Sequence, residues 1–214
     1  MSSTIQGYTV QNIAGIDPTW NDVRRADRPA ECISWRSFAF RCGPGVLSAG
    51  ALLAYLVNLS STVSLLVRRV GLGVTPCPGT SDFSLTVGRA YTATPTTTGV
   101  QVTTTGNAGK HRTSFSPTGE STQLLYNNGT AITAPTRTLD AAPVAVLNGA
   151  LIGGTFKFLP ASQENLFKAT DNCDYPLILA QNEGIEINTI TSLAASNVYI
   201  NLEIGAFLTG WGNP

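Results

Sequence analysis

Short runs in which apolar and polar residues alternate recur along most of the chain. In residues 197–207 the apolar side chains of Val198, Ile200, Leu202 and Ile204 are separated by Tyr199, Asn201 and Glu203. Residues 83–91 alternate in the same way. Because successive side chains of a strand point to opposite faces, this period of two predicts strands with one buried face.

Other short apolar runs, bounded by Gly, Pro, Asn and Ser, predict further strands. The full predicted set is 33–41, 51–57, 62–74, 83–91, 99–105, 123–126, 130–133, 144–147, 151–159, 177–180, 184–190 and 197–207. We expect a turn at 43–45. Two hairpins are predicted, one turning at 58–61 and one at Asn127-Asn128-Gly129, since Asn-Gly accepts positive φ. Only residues 161–169 suggest a short helix.

This pattern predicts an all-β protein, because the crossover helices of an α/β fold are missing. We expect an antiparallel β-sandwich with jelly-roll connections over residues 32–214. Residues 1–31 show no sustained period and predict an extended N-terminal arm. The arm would lie on a neighbouring subunit; a disordered tail is the alternative.

One segment allows a different structure. Residues 43–67 carry no charge and Arg68-Arg69 follow at once, as at the end of a membrane-spanning helix. Residues 58–62, however, place four polar side chains in the middle of that segment. We therefore predict strands there and no contact with a membrane.

Charged residues are scarce in this chain of 214 residues. They make up 12% of it, and 13 basic residues balance 13 acidic ones. A balanced charge disfavours direct nucleic-acid binding, and a surface with few charges favours self-association. Residues 1–112 hold ten basic against five acidic residues, whereas 158–214 hold one against six, so the two parts could attract each other within or between subunits.

No constellation for catalysis, a cofactor or a metal is predicted. The four cysteines lack a C-x-x-C pair and there is a single histidine, His111, on a Gly/Ser/Thr loop. Glu183 and Glu186 would point to opposite faces of one strand. Asp171 and Asp174 fit a solvated turn. The polar N-terminus suggests no export signal, so folding in the cytoplasm with reduced thiols is expected.

Aromatic and arginine side chains are the best candidates for contacts with a partner, because they are over-represented at protein interfaces. The predicted interface residues are Tyr8, Trp20, Arg24, Arg25, Arg28, Trp35 and Trp211.

Two segments carry a resemblance to a known class of proteins. Residues 51–74 read as a small-apolar strand, an Asn-Leu-Ser turn and an apolar strand that includes Arg68-Arg69. Residues 176–187 read Pro-Leu-Ile-Leu-Ala-Gln-Asn-Glu-Gly-Ile-Glu-Ile. Together they resemble jelly-roll structural proteins of tailed bacteriophages.

The resemblance implies a capsid decoration (cement) protein that folds in the host cytoplasm and joins the virion surface. It would be a homo-oligomer, expected to be a trimer, that binds the major capsid protein and is not an enzyme. Alternatives are a receptor-binding or carbohydrate-binding fibre domain, with Tyr126, Tyr175 and Trp211 as sugar-stacking residues, or the shell protein of a small virus.

Overall fold

Two antiparallel β-sheets lie face to face in the computed structural model. It describes residues 34–75, 80–92, 100–102, 109–110, 121–129, 132–133, 135–152, 155–159, 165–169 and 176–208. Strands dominate these ranges and none of them contains a helix. The all-β sandwich is confirmed, while the jelly-roll connections and the boundary at residue 31 stay predictions.

Fourteen strands are found in the described ranges. They are β1 (Ser34–Leu47), β2 (Leu52–Asn58), β3 (Val63–Thr75), β4 (Ser81–Arg89), β5 (Val100–Val102), β6 (Gly109–Lys110), β7 (Thr122–Tyr126), β8 (Thr138–Leu139), β9 (Ala145–Ile152), β10 (Thr155–Leu159), β11 (Asn165–Lys168), β12 (Leu177–Leu179), β13 (Glu183–Thr189) and β14 (Leu193–Leu208).

The strands divide into an eight-stranded and a six-stranded sheet. The first has the order β10-β9-β4-β13-β2-β7-β5, with β8 on β4. The second has the order β11-β3-β14-β1-β6, with β12 on β3. Most neighbours in a sheet are distant in sequence, and β9–β10 is the one pair of consecutive strands among those described that lie side by side.

The inner faces of the two sheets form one hydrophobic core. Strand β14 shows how the sequence pattern produces it: Val198, Ile200, Leu202 and Ile204 are buried, whereas Tyr199 and Asn201 are exposed. Phe38, Leu65 and Phe83 contribute to the same core from three other strands. The predicted alternation of residues 197–207 is therefore confirmed, with the apolar set facing the opposite sheet.

Neither predicted hairpin forms. Strand β2 belongs to the eight-stranded sheet and β3 to the six-stranded sheet, so residues 59–62 cross between the sheets. Strand β7, before the Asn-Gly turn, pairs with β2 and β5, and residues 132–133 are not in a strand. The chain bends at 128–129, where Gly129 has φ 105° and its N donates to Asn127 Oδ1, but Asn128 does not have a positive φ. Long-range pairing prevails over the local turn signal at both places.

Three further predictions are wrong in position. Strand β1 continues through residues 43–45, and the chain turns at 48–51, where Ala51 N donates to Ser48 O. The strand predicted at 151–159 is split between β9 and β10. Residues 165–168 of the predicted helix form β11, because they pair with β3.

The segment for which a membrane helix was the alternative lies in sheets. Residues 43–67 form the end of β1, the whole of β2 and the beginning of β3. The described part of the chain contains no helix of the length and apolarity needed to cross a membrane.

Candidate functional site

A bulge in β3 places two neighbouring arginines on the outer face of the six-stranded sheet. Arg69 lies opposite Glu203 of β14, but Val67 lies opposite the next residue, Ile204. Arg68 is therefore the extra residue of the bulge. Val67 and Val70 both reach the core, so both arginine side chains between them are turned outward.

Arg68 lies over the ring of Trp35 on this face. Its guanidinium carbon is 5.5 Å from the ring centroid, which is cation–π distance. Its Nη1 is 3.8 Å from Oε2 of Glu203, and the Arg68 side chain is 35% exposed. Trp35 is half-buried. An aromatic ring, a cation and a carboxylate are thus held together at the surface.

Further cations lie beside this group. Arg69 is exposed and its Nε donates to Oδ1 of Asn165 at 2.7 Å. Lys168 of β11 is exposed and lies directly opposite Arg69. Arg41 is exposed at a position that the alternation of β1 assigns to the same side. We call the outer surface formed by Trp35, Arg68, Arg69, Lys168 and Glu203 the cationic face.

Two large apolar side chains are also exposed on the outer side of this sheet. Ile178 of β12 is 58% exposed and Tyr199 of β14 is 41% exposed. Apolar, aromatic and arginine side chains on one surface are the composition of the central part of a protein interface.

A second polar group is buried on the outer side of the eight-stranded sheet. Glu186 of β13 has no exposure, and Arg137 binds it through two parallel hydrogen bonds, Nε to Oε1 at 2.5 Å and Nη2 to Oε2 at 2.9 Å. Tyr91 donates its hydroxyl to the same Oε1 at 3.1 Å. We call Tyr91, Arg137 and Glu186 the tyrosine clamp.

Two glycines make room for the tyrosine ring. Gly88 of β4 and Gly184 of β13 lie opposite each other. A Cβ at Gly88 would come within 2.9 Å of the Tyr91 hydroxyl, and one at Gly184 within 3.0 Å of the ring. The clamp thus fastens residues 91 and 137, which follow and precede strands of this sheet, onto its glycine surface.

The electrostatics of the clamp favour one protonation state. Burial and the adjacent Glu186 carboxylate raise the pKa of Tyr91 well above its ordinary value. The hydrogen bonds to Glu186 raise the pKa of Arg137. The tyrosine stays protonated and the arginine charged, so the clamp is suited to hold two segments together rather than to transfer a proton.

The structure describes only part of the predicted site. Trp35 lies in the cationic face, whereas the predicted interface residues Tyr8, Trp20, Arg24, Arg25, Arg28 and Trp211 lie outside the described residues. So do His111, Asp171, Asp174 and Tyr175. Tyr126 stacks on Phe40 with a centroid distance of 4.8 Å. No group of metal-ligating side chains occurs within the described ranges.

No local pattern in the sequence indicates the clamp, because Arg137 is 49 residues from Glu186. Comparison with known proteins returns neither a matching protein family nor a similar curated protein.

Proposed function

We propose that this protein is a virion structural protein, a capsid decoration protein of a tailed bacteriophage that binds its neighbours through the outer face of a sheet. Its jelly-roll connections, its trimeric state, its contact with the major capsid protein and its place on the virion surface are parts of this proposal.

The observation that carries the proposal is the cationic face. A half-buried tryptophan under an arginine, with Ile178 and Tyr199 exposed on the same side, is a surface suited to contact with another protein. Repetition of such a contact on a particle lattice would strengthen weak binding through multivalency.

The packing of the two segments that resemble phage proteins also supports the proposal. Asn58 of the first segment is fully buried, and its amide donates to the carbonyls of Val63 at 2.7 Å and Leu179 at 2.9 Å. Asn182 N in turn donates to Asn58 O. The Asn-Leu-Ser turn and the Pro…Glu-Gly segment therefore pack against each other in this structure.

The test is to locate the chain in its native source. Density-gradient particles should contain its peptides by mass spectrometry, and labelled antibody should decorate the head surface in electron micrographs. The recombinant chain should sediment as a small symmetric oligomer. A monomer that is absent from particles would overturn the proposal. Label at the tail tip alone would favour receptor binding instead, and closed shells formed by the pure chain would favour a shell protein.

A further inference from the structure

We propose that the cationic face binds a carboxylate-rich surface of another protein. This deepens the proposed function, on which it rests, by naming the chemistry of the partner. The face would be the binding surface of the subunit, and carboxylates of the partner would pair with Arg69 and Lys168.

The register of the six-stranded sheet carries the inference. Arg69 has Lys168 directly opposite on one side and Glu203 on the other. Like charges at opposed positions of neighbouring strands destabilise a sheet, because their Cβ atoms are roughly 5 Å apart. Glu203 forms an ion pair with Arg68, and Arg69 is bound by the Asn165 amide. A like-charge pair that lowers the stability of the fold is expected at a site where the two charges serve binding.

The charge left over on this face points to an anionic partner. Lys168 makes no ion pair within the described residues, and Arg69 is bound there by a neutral amide oxygen. Among the described residues of this face three cations accompany one acid, in a chain in which only 12% of the residues are charged. Carboxylates opposite this group would give charge-assisted contacts.

Two other occupants fit less well. Nucleic acid would meet the Glu203 carboxylate at the centre of the face, and the whole chain has no net positive charge. A second copy offers few acids outside ion pairs among the described residues: Glu186, Asp140 and Glu203 are ion-paired, which leaves Asp82 and Glu183. A different protein with an acidic surface is therefore the occupant that the charges favour.

The experiment compares the full chain with the double variant Arg69→Ser/Lys168→Ser. The matched control is Arg89→Ser, which removes an exposed arginine from the other sheet. Labelled poly-L-glutamate is the probe, read by fluorescence anisotropy at fixed salt, and a single-stranded oligonucleotide of equal charge is the comparison. We expect the double variant to bind poly-glutamate about tenfold more weakly and Arg89→Ser to bind within twofold of the parent chain.

The double variant should also remain as stable as the parent chain or become more stable, because it removes the repulsion between residues 69 and 168. That result excludes loss of binding through unfolding. Equal weakening by Arg89→Ser, tighter binding of the oligonucleotide, or no binding of poly-glutamate would overturn the inference. Concentration-dependent dimerisation that the double variant abolishes would also overturn it, in favour of a second copy.

Binding to native particles separates this inference from the proposed function. If the parent chain co-sediments with particles and the double variant does not, both are supported. If both proteins co-sediment equally, the chain is a particle component but the cationic face is not its adhesive surface. If neither co-sediments, the decoration proposal itself fails, whatever the result with poly-glutamate.

Discussion

Replacement of Arg137 by methionine should destabilise the fold far more than the same change at Arg89. Both arginines bind a carboxylate, but their surroundings differ. Glu186 has no exposure and the Arg137 side chain is 28% exposed. In the Arg89–Asp140 pair the two side chains are 62% and 46% exposed. Arg137→Met leaves a buried carboxylate with a single remaining hydrogen bond, from Tyr91.

The expected magnitudes follow from that burial. Removal of one partner from a buried ion pair costs about 3–5 kcal/mol. Because water can reach the partly exposed position of residue 137, we expect about 3 kcal/mol for Arg137→Met. An exposed pair contributes about 0–1 kcal/mol, which is the expectation for Arg89→Met. Glu186→Leu should also cost about 3 kcal/mol, since it removes the partner of Arg137 and the acceptor of the buried Tyr91 hydroxyl.

A double-mutant cycle measured by urea denaturation tests the reasoning. The double variant Arg137→Met/Glu186→Leu leaves no unpaired charge. Its loss in free energy of unfolding should therefore be about 2–3 kcal/mol smaller than the sum of the losses in the two single variants. Simple additivity, or a cost for Arg137→Met no larger than that for Arg89→Met, would refute the conclusion that the clamp holds the outer segments on the sheet.

Three further changes test other parts of the fold, each by urea denaturation. Gly184→Ala should lower the free energy of unfolding by about 2–3 kcal/mol or more, because the new Cβ would lie 2.5 Å from Leu56 O. Gly73→Ala, whose Cβ would have no atom nearer than 3.9 Å, should leave it nearly unchanged. Asn58→Asp should cost at least about 3 kcal/mol, since a carboxylate would face the two carbonyls that the amide now binds; equal stability would contradict the bridging role. Burial raises the pKa of the Cys42 thiol to about 12. Because the unfolded chain loses this proton at lower pH than the folded chain, the free energy of unfolding should fall between about pH 9 and 12. Cys42→Ala should reduce the slope of the free energy of unfolding against pH by up to ~1.4 kcal/mol per pH unit.

The fold class could be predicted because burial in a two-layer sandwich leaves a direct trace in the sequence. Each strand that has one face on the core must alternate, as β14 does, and the two helical signals in the chain are short or interrupted by polar residues. Strand partners leave no such trace. The turn at Asn58–Ser60 is compatible with a hairpin, but the Asn58 amide also fits a crossing between sheets, where it bridges Val63 and Leu179. Which of these occurs is decided by residues more than a hundred positions away.

The same distinction explains what could be predicted of the candidate site. Trp35 was recognisable from its residue type alone. In the sequence, Arg68-Arg69 lies at the end of an apolar run. Strict alternation along the strand would place one of the two side chains in the core. The bulge prevents that, since it shifts the pleat by one residue and sends both side chains outward beside Trp35. Lys168, which lay in a segment predicted to be helical, joins them only when β11 pairs with β3. The excess of positive charge on this face is thus a property of strand pairing and of the bulge. Neither can be read from a single sequence, because both depend on strands that are distant along the chain.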